Sequence, residues 1–293
     1  MKVGVQLPEV ERVVRWTELE EMARMIEAAG FDSIWVGDHL LYEQDGVRRG
    51  PWEAWTQLAG VAAVTERVEL GPLVAALPFH NPAMLAKLAA TVDEISGGRL
   101  IFGVGAGWNE VEFRAFGLPY ERRVSRFEEE FEIVRRLLGG ERFDFEGEFY
   151  RLDGAQLLPA PRPGGIPFMI GSNSARMLSI ALPHVAMWNS WFNDFANSPE
   201  GLAPLLVRID DACEKAGRDP ATLERTVALF LSFGDSGEGR QVEPHPITGS
   251  PQQMASVLAR IGELGIGHVQ LVLDPITTGS IERAAEVVRQ LDR

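Results

Sequence analysis

One cysteine, Cys213, is all the thiol this 293-residue chain contains. A single thiol closes no intrachain disulfide and builds no cysteine-based metal site, so the fold must rest on a packed core and the expected setting is the reducing cytoplasm. Long apolar runs are missing as well. No stretch reaches the roughly 20 residues that a membrane-spanning helix needs, and the opening Met1-Lys2-Val3-Gly4-Val5 reads as the start of a strand rather than a secretory leader. Positive charge is scarce: 28 Lys and Arg against 42 Asp and Glu give a formal net charge of −14. That balance argues against nucleic acid or an anionic membrane surface as a partner, yet leaves room for a phosphorylated cofactor held by a few local donors. There are five histidines, and no H-x-H, H-E-x-x-H or G-x-S-x-G pattern occurs. The expectation is therefore no metal, and neither a metal-dependent barrel hydrolase nor a serine hydrolase.

What is present is alternation. Strand-like runs at Val3–Leu7, Ile34–Val36, Val68–Val74, Leu100–Val104, Pro167–Ile170, His184–Trp188, Thr226–Phe233 and His268–Leu273 are separated by helical patterns. The helix from Thr17 reads as a capping box with Glu20, followed by an apolar stripe at Leu19, Met22, Ala23 and Ile26 and a stop at Gly30. A second helix runs from about Pro51 to Val64. In the third, Asn81 and Pro82 start a stripe of Leu85, Leu88, Ala89 and Val92. A long helix covers Arg123 to Leu138. Later helices start at Ser174, at Ser198-Pro199, at Ser250-Pro251 with Gln253 as a second capping box, and at Ser280 as cap. Eight strand–helix units in this length are the count of an α/β fold of the (β/α)₈ TIM-barrel type, one domain over residues 1–293. A doubly wound sheet is the competitor. The stretch at about 140–165, with a weak, polar hairpin pattern at Phe143–Leu158, reads as an insertion after the fourth helix, because the alternation resumes beyond it.

A barrel gathers its chemistry at the C-terminal ends of its strands. Those ends carry Asp38-His39, Val74-Ala75, Gly105-Ala106-Gly107-Trp108-Asn109, Gly171-Ser172-Asn173-Ser174 and Trp188-Asn189-Ser190. Asp38 and His39 form the one acid–imidazole pair at a strand end. They read equally as an active-site pair or as a cap with a local hydrogen bond. The G-x-G-x-G run at Gly103–Gly107 has the wrong spacing and place for a dinucleotide fingerprint, though glycine lets a flat or phosphorylated group approach the backbone. Gly171-Ser172-Asn173-Ser174, with Arg176 adding charge, has the form of an anion site, or of plain helix capping. Trp52, Trp55, Trp108, Trp188, Trp191 and Phe192 crowd the expected mouth, partly as core and partly as an apolar slot for a planar ring.

Gly30-Phe31-Asp32-Ser33-Ile34-Trp35-Val36-Gly37-Asp38-His39, Asn81-Pro82, the run from Ser96-Gly97-Gly98-Arg99 to Gly107-Trp108-Asn109-Glu110, and Thr248-Gly249-Ser250-Pro251 closely resemble the bacterial luciferase-like flavin and deazaflavin oxidoreductases. The resemblance covers nearly the whole chain. It implies a (β/α)₈ barrel with an insertion that binds FMN or the deazaflavin coenzyme F420, and the Asp-His pair places it nearer the F420-dependent branch. On that resemblance His39 is the proton donor and acceptor and Asp38 a contact to the ring or its hydroxyl. The resemblance also implies a non-prolyl cis peptide at Leu73–Val74, backing the ring. Gly105, Ala106, Gly107, Trp108 and Asn109 line the ring or sugar-like chain, Gly171 to Ser174 with Arg176 meet the phosphate, and Trp188 lies beside the cofactor. Arg48-Arg49 or Arg122-Arg123 would flank a charged cofactor tail. Two departures stand out. The family's phosphate loop is usually richer in glycine, and Ala186-Met187 stands where relatives often have Asp-Gly before the Trp-Asn pair. Trp108 stands where sugar-phosphate dehydrogenases of this branch carry a glutamate, so a small carbonyl, alcohol or activated alkene is the expected substrate. The alternative is an FMN-dependent monooxygenase supplied by a flavin reductase; a barrel that binds a flavin without turnover is a third reading. A homodimer through barrel helices is the expected assembly.

Overall fold

Val3 and Val5 in β1 (Lys2–Gln6) and Ile34, Trp35 and Val36 in β2 (Ser33–Val36) are all buried. Short apolar runs of this kind suit parallel strands covered on both faces. The structure is a computed structural model that describes residues 1–44, 46–234 and 244–291. Its other barrel strands are β3 in two pieces (Glu69–Pro72 and Ala75–Ala76), β4 (Phe102–Gly105), β5 (Phe168–Gly171), β6 (Met187–Ser190), β7 (Glu224–Ser232) and β8 (Ile266–Asp274). Hydrogen bonding runs from the first piece of β3 through β2, β1, β8, β7, β6, β5 and β4 to the second piece of β3. All of these pairings are parallel. One broken strand thus closes the ring, and the fold is the expected TIM barrel.

The outer layer consists of α1 (Trp16–Ala28), α2 (Ala54–Val64), α3 (Pro82–Ser96), α4 (Arg123–Leu138), α5 (Ala175–Ala181), α6 (Pro199–Lys215), α7 (Pro251–Glu263) and α8 (Thr278–Arg289). Asn81 caps α3 and Ser250 with Gln253 boxes α7, as the sequence predicts. Three local readings are corrected. Helix α1 is capped two residues earlier than expected, at Arg15 and with no side-chain cap bond, so Thr17 and Glu20 form no box. Thr277, not Ser280, caps α8; its side chain accepts from the Ser280 N–H. Leu88 points outward while Leu85, Ala89 and Val92 are buried, because the core-facing stripe of α3 is narrower than the apolar pattern.

Two strand boundaries also move. The run Val68–Val74 is not one strand, because the chain breaks step at the Leu73–Val74 bond, which is cis as the resemblance implies. The sixth strand begins at Met187 rather than His184, which lies exposed in the turn after α5. A short hairpin, Tyr42–Gln44 with Val47–Arg49, and a six-residue helix, Glu110–Ala115, are additions that the periodicity did not reveal.

The insertion is an antiparallel hairpin, Phe143–Glu146 with Arg151–Ala155. Helix α4 clamps it with two carboxylates. Glu129 accepts the N–H groups of Glu148, Phe149 and Tyr150, and Glu130 accepts the Tyr150 hydroxyl. Glu130 is fully buried, and that burial pushes its carboxyl up from 4.5 to about 8, against the opposing effects of Tyr150 and Arg126. A raised folded-state value means that its contribution is complete below the unfolded value and is lost as pH rises toward 8. Glu130→Gln keeps an acceptor for Tyr150 and removes the charging step. The variant is expected to gain on the wild type between pH 5 and 8.5, by on the order of a few kcal/mol. Chemical denaturation at the two pH values checks this; a constant difference would contradict it.

Candidate active site

A cleft of about 740 Å³ opens at the C-terminal ends of the barrel strands, where β1 to β6 and their loops converge. That volume falls within the range of small-molecule sites. Its walls include Glu9, His39, Tyr42, Trp108, Glu112, Arg123, Ser172, Ser174 and Asp194. Leu73 and Val74 line it too.

His39 follows β2 and is held from behind. Its Nδ1 lies 3.0 Å from Oε1 of Glu112, a fully buried carboxylate on the Glu110–Ala115 helix. Oε2 of Glu112 accepts the N–H groups of Leu40 at 2.8 Å and Leu41 at 3.3 Å. The carboxylate thus fixes both the loop and the ring. A carboxylate only accepts, so Nδ1 carries a hydrogen and Nε2 is the nitrogen left to exchange protons. Burial alone would lower the imidazole's affinity for a proton. The bond to Glu112 and the charges of Glu9, Glu112 and Asp38 outweigh it, and the His39 pKa rises above 6.5. The rings of Tyr42 and Trp108 lie 4.6 and 5.8 Å from the imidazole. Trp108 is 62% exposed, a large apolar surface left open over the cleft.

Val74 explains the glycines. A Cβ on Gly103, Gly105 or Gly171 would stand 2.8–2.9 Å from a Val74 methyl. These glycines give β4 and β5 room for the valine that the broken third strand turns toward them. Gly107 has φ +70°, and a Cβ there would also press on Phe113. Crowding around protein atoms requires the glycines of the G-x-G-x-G run, and Gly105 and Gly107 also line the cleft.

Of the residues expected at the site, His39, Leu73, Val74, Gly105, Ala106, Gly107, Trp108, Gly171, Ser172 and Ser174 line the cleft. Others serve its frame. Asp38 is 3% exposed; its Oδ2 accepts the Ala76 N–H at 3.0 Å and pairs with His80 Nε2 at 2.9 Å, tying β2 to the second piece of β3. Asn109 donates to the Leu41 carbonyl at 2.9 Å. Asn173 donates to Ser190 Oγ and Asp194 Oδ2. Trp188 is fully buried and its indole N–H donates to the Ser172 carbonyl, steadying the loop from beneath. Arg176 turns away to Ser125 and Glu128. The guanidinium on the cleft wall is Arg123, which donates to the Gly107 carbonyl and stacks on Tyr120 at 4.6 Å. Arg122 pairs instead with Glu148 and Arg48 with Glu43, while Arg49 donates to the Glu11 carbonyl. Among the aromatics, Trp108, Trp191 and Phe192 reach the cleft, Trp55 and Trp188 are core, and Trp52 bonds to the Val14 carbonyl.

Glu9, Glu112, Tyr42, Phe79 and Asp194 are among the cleft residues that sequence reasoning missed. Only Asp45-Gly46, a common turn dipeptide, hinted at the hairpin that carries Tyr42. Among the described residues, no group of three His, Cys, Asp or Glu side chains converges so as to hold a metal ion. Nor does any helix there have the length and apolarity to cross a membrane.

A closed parallel barrel with its cleft at the strand ends defines an enzyme-like α/β protein, and comparison with known proteins gives its family. The luciferase-like monooxygenase family matches residues 1–290. The chain belongs to that family and is one of its oxidoreductases. It is 35% identical over 271 residues to the 5,10-methylenetetrahydromethanopterin reductase of Archaeoglobus fulgidus, spanning 89% of this chain and 74% of that one. It is 33% identical over 258 residues to the pyrimidine monooxygenase RutA of Escherichia coli, spanning 82% and 69% respectively. Among solved structures, an F420-dependent secondary alcohol dehydrogenase with an F420-acetone adduct superimposes with a TM-score of 0.84 at 20% identity, covering 100% of this chain and 99% of that one. The coenzyme F420-dependent tetrahydromethanopterin reductase of Methanopyrus kandleri does so with 0.79 at 20% identity, covering 99% of each chain. At these identities the structural likeness establishes the fold.

Proposed function

We propose that the chain is a cytoplasmic, single-domain oxidoreductase that transfers a hydride between coenzyme F420 and a small carbonyl, alcohol or activated alkene. The observation that carries this reading is the Glu112–His39 pair, which presents one free imidazole nitrogen at the wall of an apolar cleft. Hydride transfer to or from such a substrate needs a partner that moves the accompanying proton, and an imidazole poised near neutral pH suits that task. The relationship to the A. fulgidus reductase supports the same side of the family.

The donor set fits the coenzyme. Leu73 and Val74 offer an apolar surface to a flat ring, and Arg123, Ser172 and Ser174 supply cationic and hydroxyl donors for a phosphate-bearing tail. When bound, the coenzyme supplies or accepts the hydride. Around it Trp108 shields the cleft from water, Glu112 holds the His39 ring, and Nε2 gives or takes the proton. The likeness to RutA favours a second reading, an FMN-dependent monooxygenase with a reductase partner. Calorimetric titration of the protein with F420 and, separately, with FMN separates the two. F420 is expected to bind at least about tenfold more tightly, a difference of roughly 1.4 kcal/mol.

A further inference from the structure

Glu9 is a nearly buried carboxylate on the cleft wall whose charge helps raise the His39 pKa but which makes no direct bond to His39. We propose that it makes the His39 end of the cleft a receptor for a cationic nitrogen group on the substrate. The proposal rests on the reading of this cleft as a substrate site.

Three observations carry it. First, Glu9 is only 8% exposed, yet it lines the cleft. Its Oε1 accepts from the Gln6 amide at 2.6 Å, and its Oε2 has no partner among the described residues. Second, the backbone is shaped around it. The carboxyl lies against Gly37, where a Cβ would stand 1.5 Å from Oε1. A side chain there would displace the carboxyl from its present position. Third, among the described residues no Lys or Arg side chain pairs with it. Both oxygens of Glu112 are occupied by His39, Leu40 and Leu41, and His39 Nδ1 is turned to Glu112 rather than to Glu9. Among the described residues Arg123 is the only Lys or Arg lining the cleft, and it bonds to Gly107 beside Tyr120.

A buried carboxylate without a charged partner is costly, and an incoming cation removes that cost. The aromatic rings of Tyr42 and Trp108, which line the cleft with centroids 6.1 Å apart, add a second attraction for an organic cation. A carboxylate or phosphate on the substrate would meet like charge at the same place, so the site discriminates by repulsion as well as by attraction.

The test uses benzylammonium, benzyl alcohol and benzoate, which share a ring and differ in charge. Each is titrated by calorimetry into the protein saturated with whichever of F420 and FMN it binds. Wild type is expected to prefer benzylammonium over the other two by about tenfold or more, and Glu9→Gln to lose most of that preference. Equal affinities in the wild type, no measurable binding of benzylammonium, or an unchanged preference in Glu9→Gln would overturn the proposal. The wild-type comparison needs no variant, so poor folding of Glu9→Gln cannot hide the answer. Cofactor affinity is measured first and reports separately on the cofactor assignment.

Discussion

Replacing His39 by alanine is expected to lower turnover by ~10²–10⁴-fold, the usual contribution of a positioned acid or base. Cofactor affinity should change little, because Leu73, Val74, Arg123 and the Ser172–Ser174 loop form other parts of the cleft. Glu112→Gln tests how the imidazole is held. The carboxylate raises the pKa of His39, so its loss should move the pH profile of kcat/KM toward lower pH. A purely structural role for Glu112 would lower the rate without moving the profile. Because the two residues act as a unit, the double variant should be scarcely slower than His39→Ala alone. Steady-state rates across pH 5 to 9 for the four proteins check all three statements.

The largest expected effect on stability lies far from the cleft, at Arg99. Helix α3 ends at Gly97 and Gly98, both with positive φ, and the chain turns straight into Arg99. Its guanidinium donates to the carbonyls of Ala62, Thr65, Val68 and Ser96 and to the Thr65 hydroxyl. One side chain therefore ties the end of α2, the approach to β3 and the end of α3 together. Arg99→Ala leaves those acceptors without their donor, an expected loss of ~2–4 kcal/mol in urea denaturation. Arg99→Lys should recover little, since a single ammonium cannot span a fork of four carbonyls. A loss below about 0.5 kcal/mol in Arg99→Ala, the range of ordinary surface changes, would contradict this role.

The family run from Ser96 to Glu110 was legible in sequence, but its physical meaning was divided differently from what spacing implies. Arg99 and the two glycines before it build the scaffold. Gly103 and Gly105 make room for Val74, and only the segment from Gly105 to Trp108 reaches the cleft. The barrel itself was readable because each strand is a short apolar run followed by a capped helix. The break in β3 was not readable from periodicity, since Val68–Val74 is as apolar as its neighbours; only the family resemblance pointed to the Leu73–Val74 bond.

The place of His39 on the cleft wall was readable because a barrel gathers its cleft at the ends of its strands. Glu112 was not: it lies 73 positions away, in the first turn of a short helix, where acids ordinarily face water. Asp38 was expected against the cofactor, but His80 claims it, and no local pattern shows that the turn at Leu77–Phe79 brings His80 back to β2. Arg176 and Arg123 differ for a similar reason. Each begins a helix near the mouth, and the side chain that finds a carboxylate, Arg176 with Glu128, turns away from the cleft.

The cofactor decides the class of reaction, because a deazaflavin is a poor activator of oxygen. The titration of the protein with F420 and FMN is therefore the measurement to make first. Tight F420 binding, with FMN at least about tenfold weaker, is the expected result. Tight binding of FMN with weak or absent F420 binding would contradict hydride transfer by the deazaflavin and identify an oxygen-using flavoprotein instead.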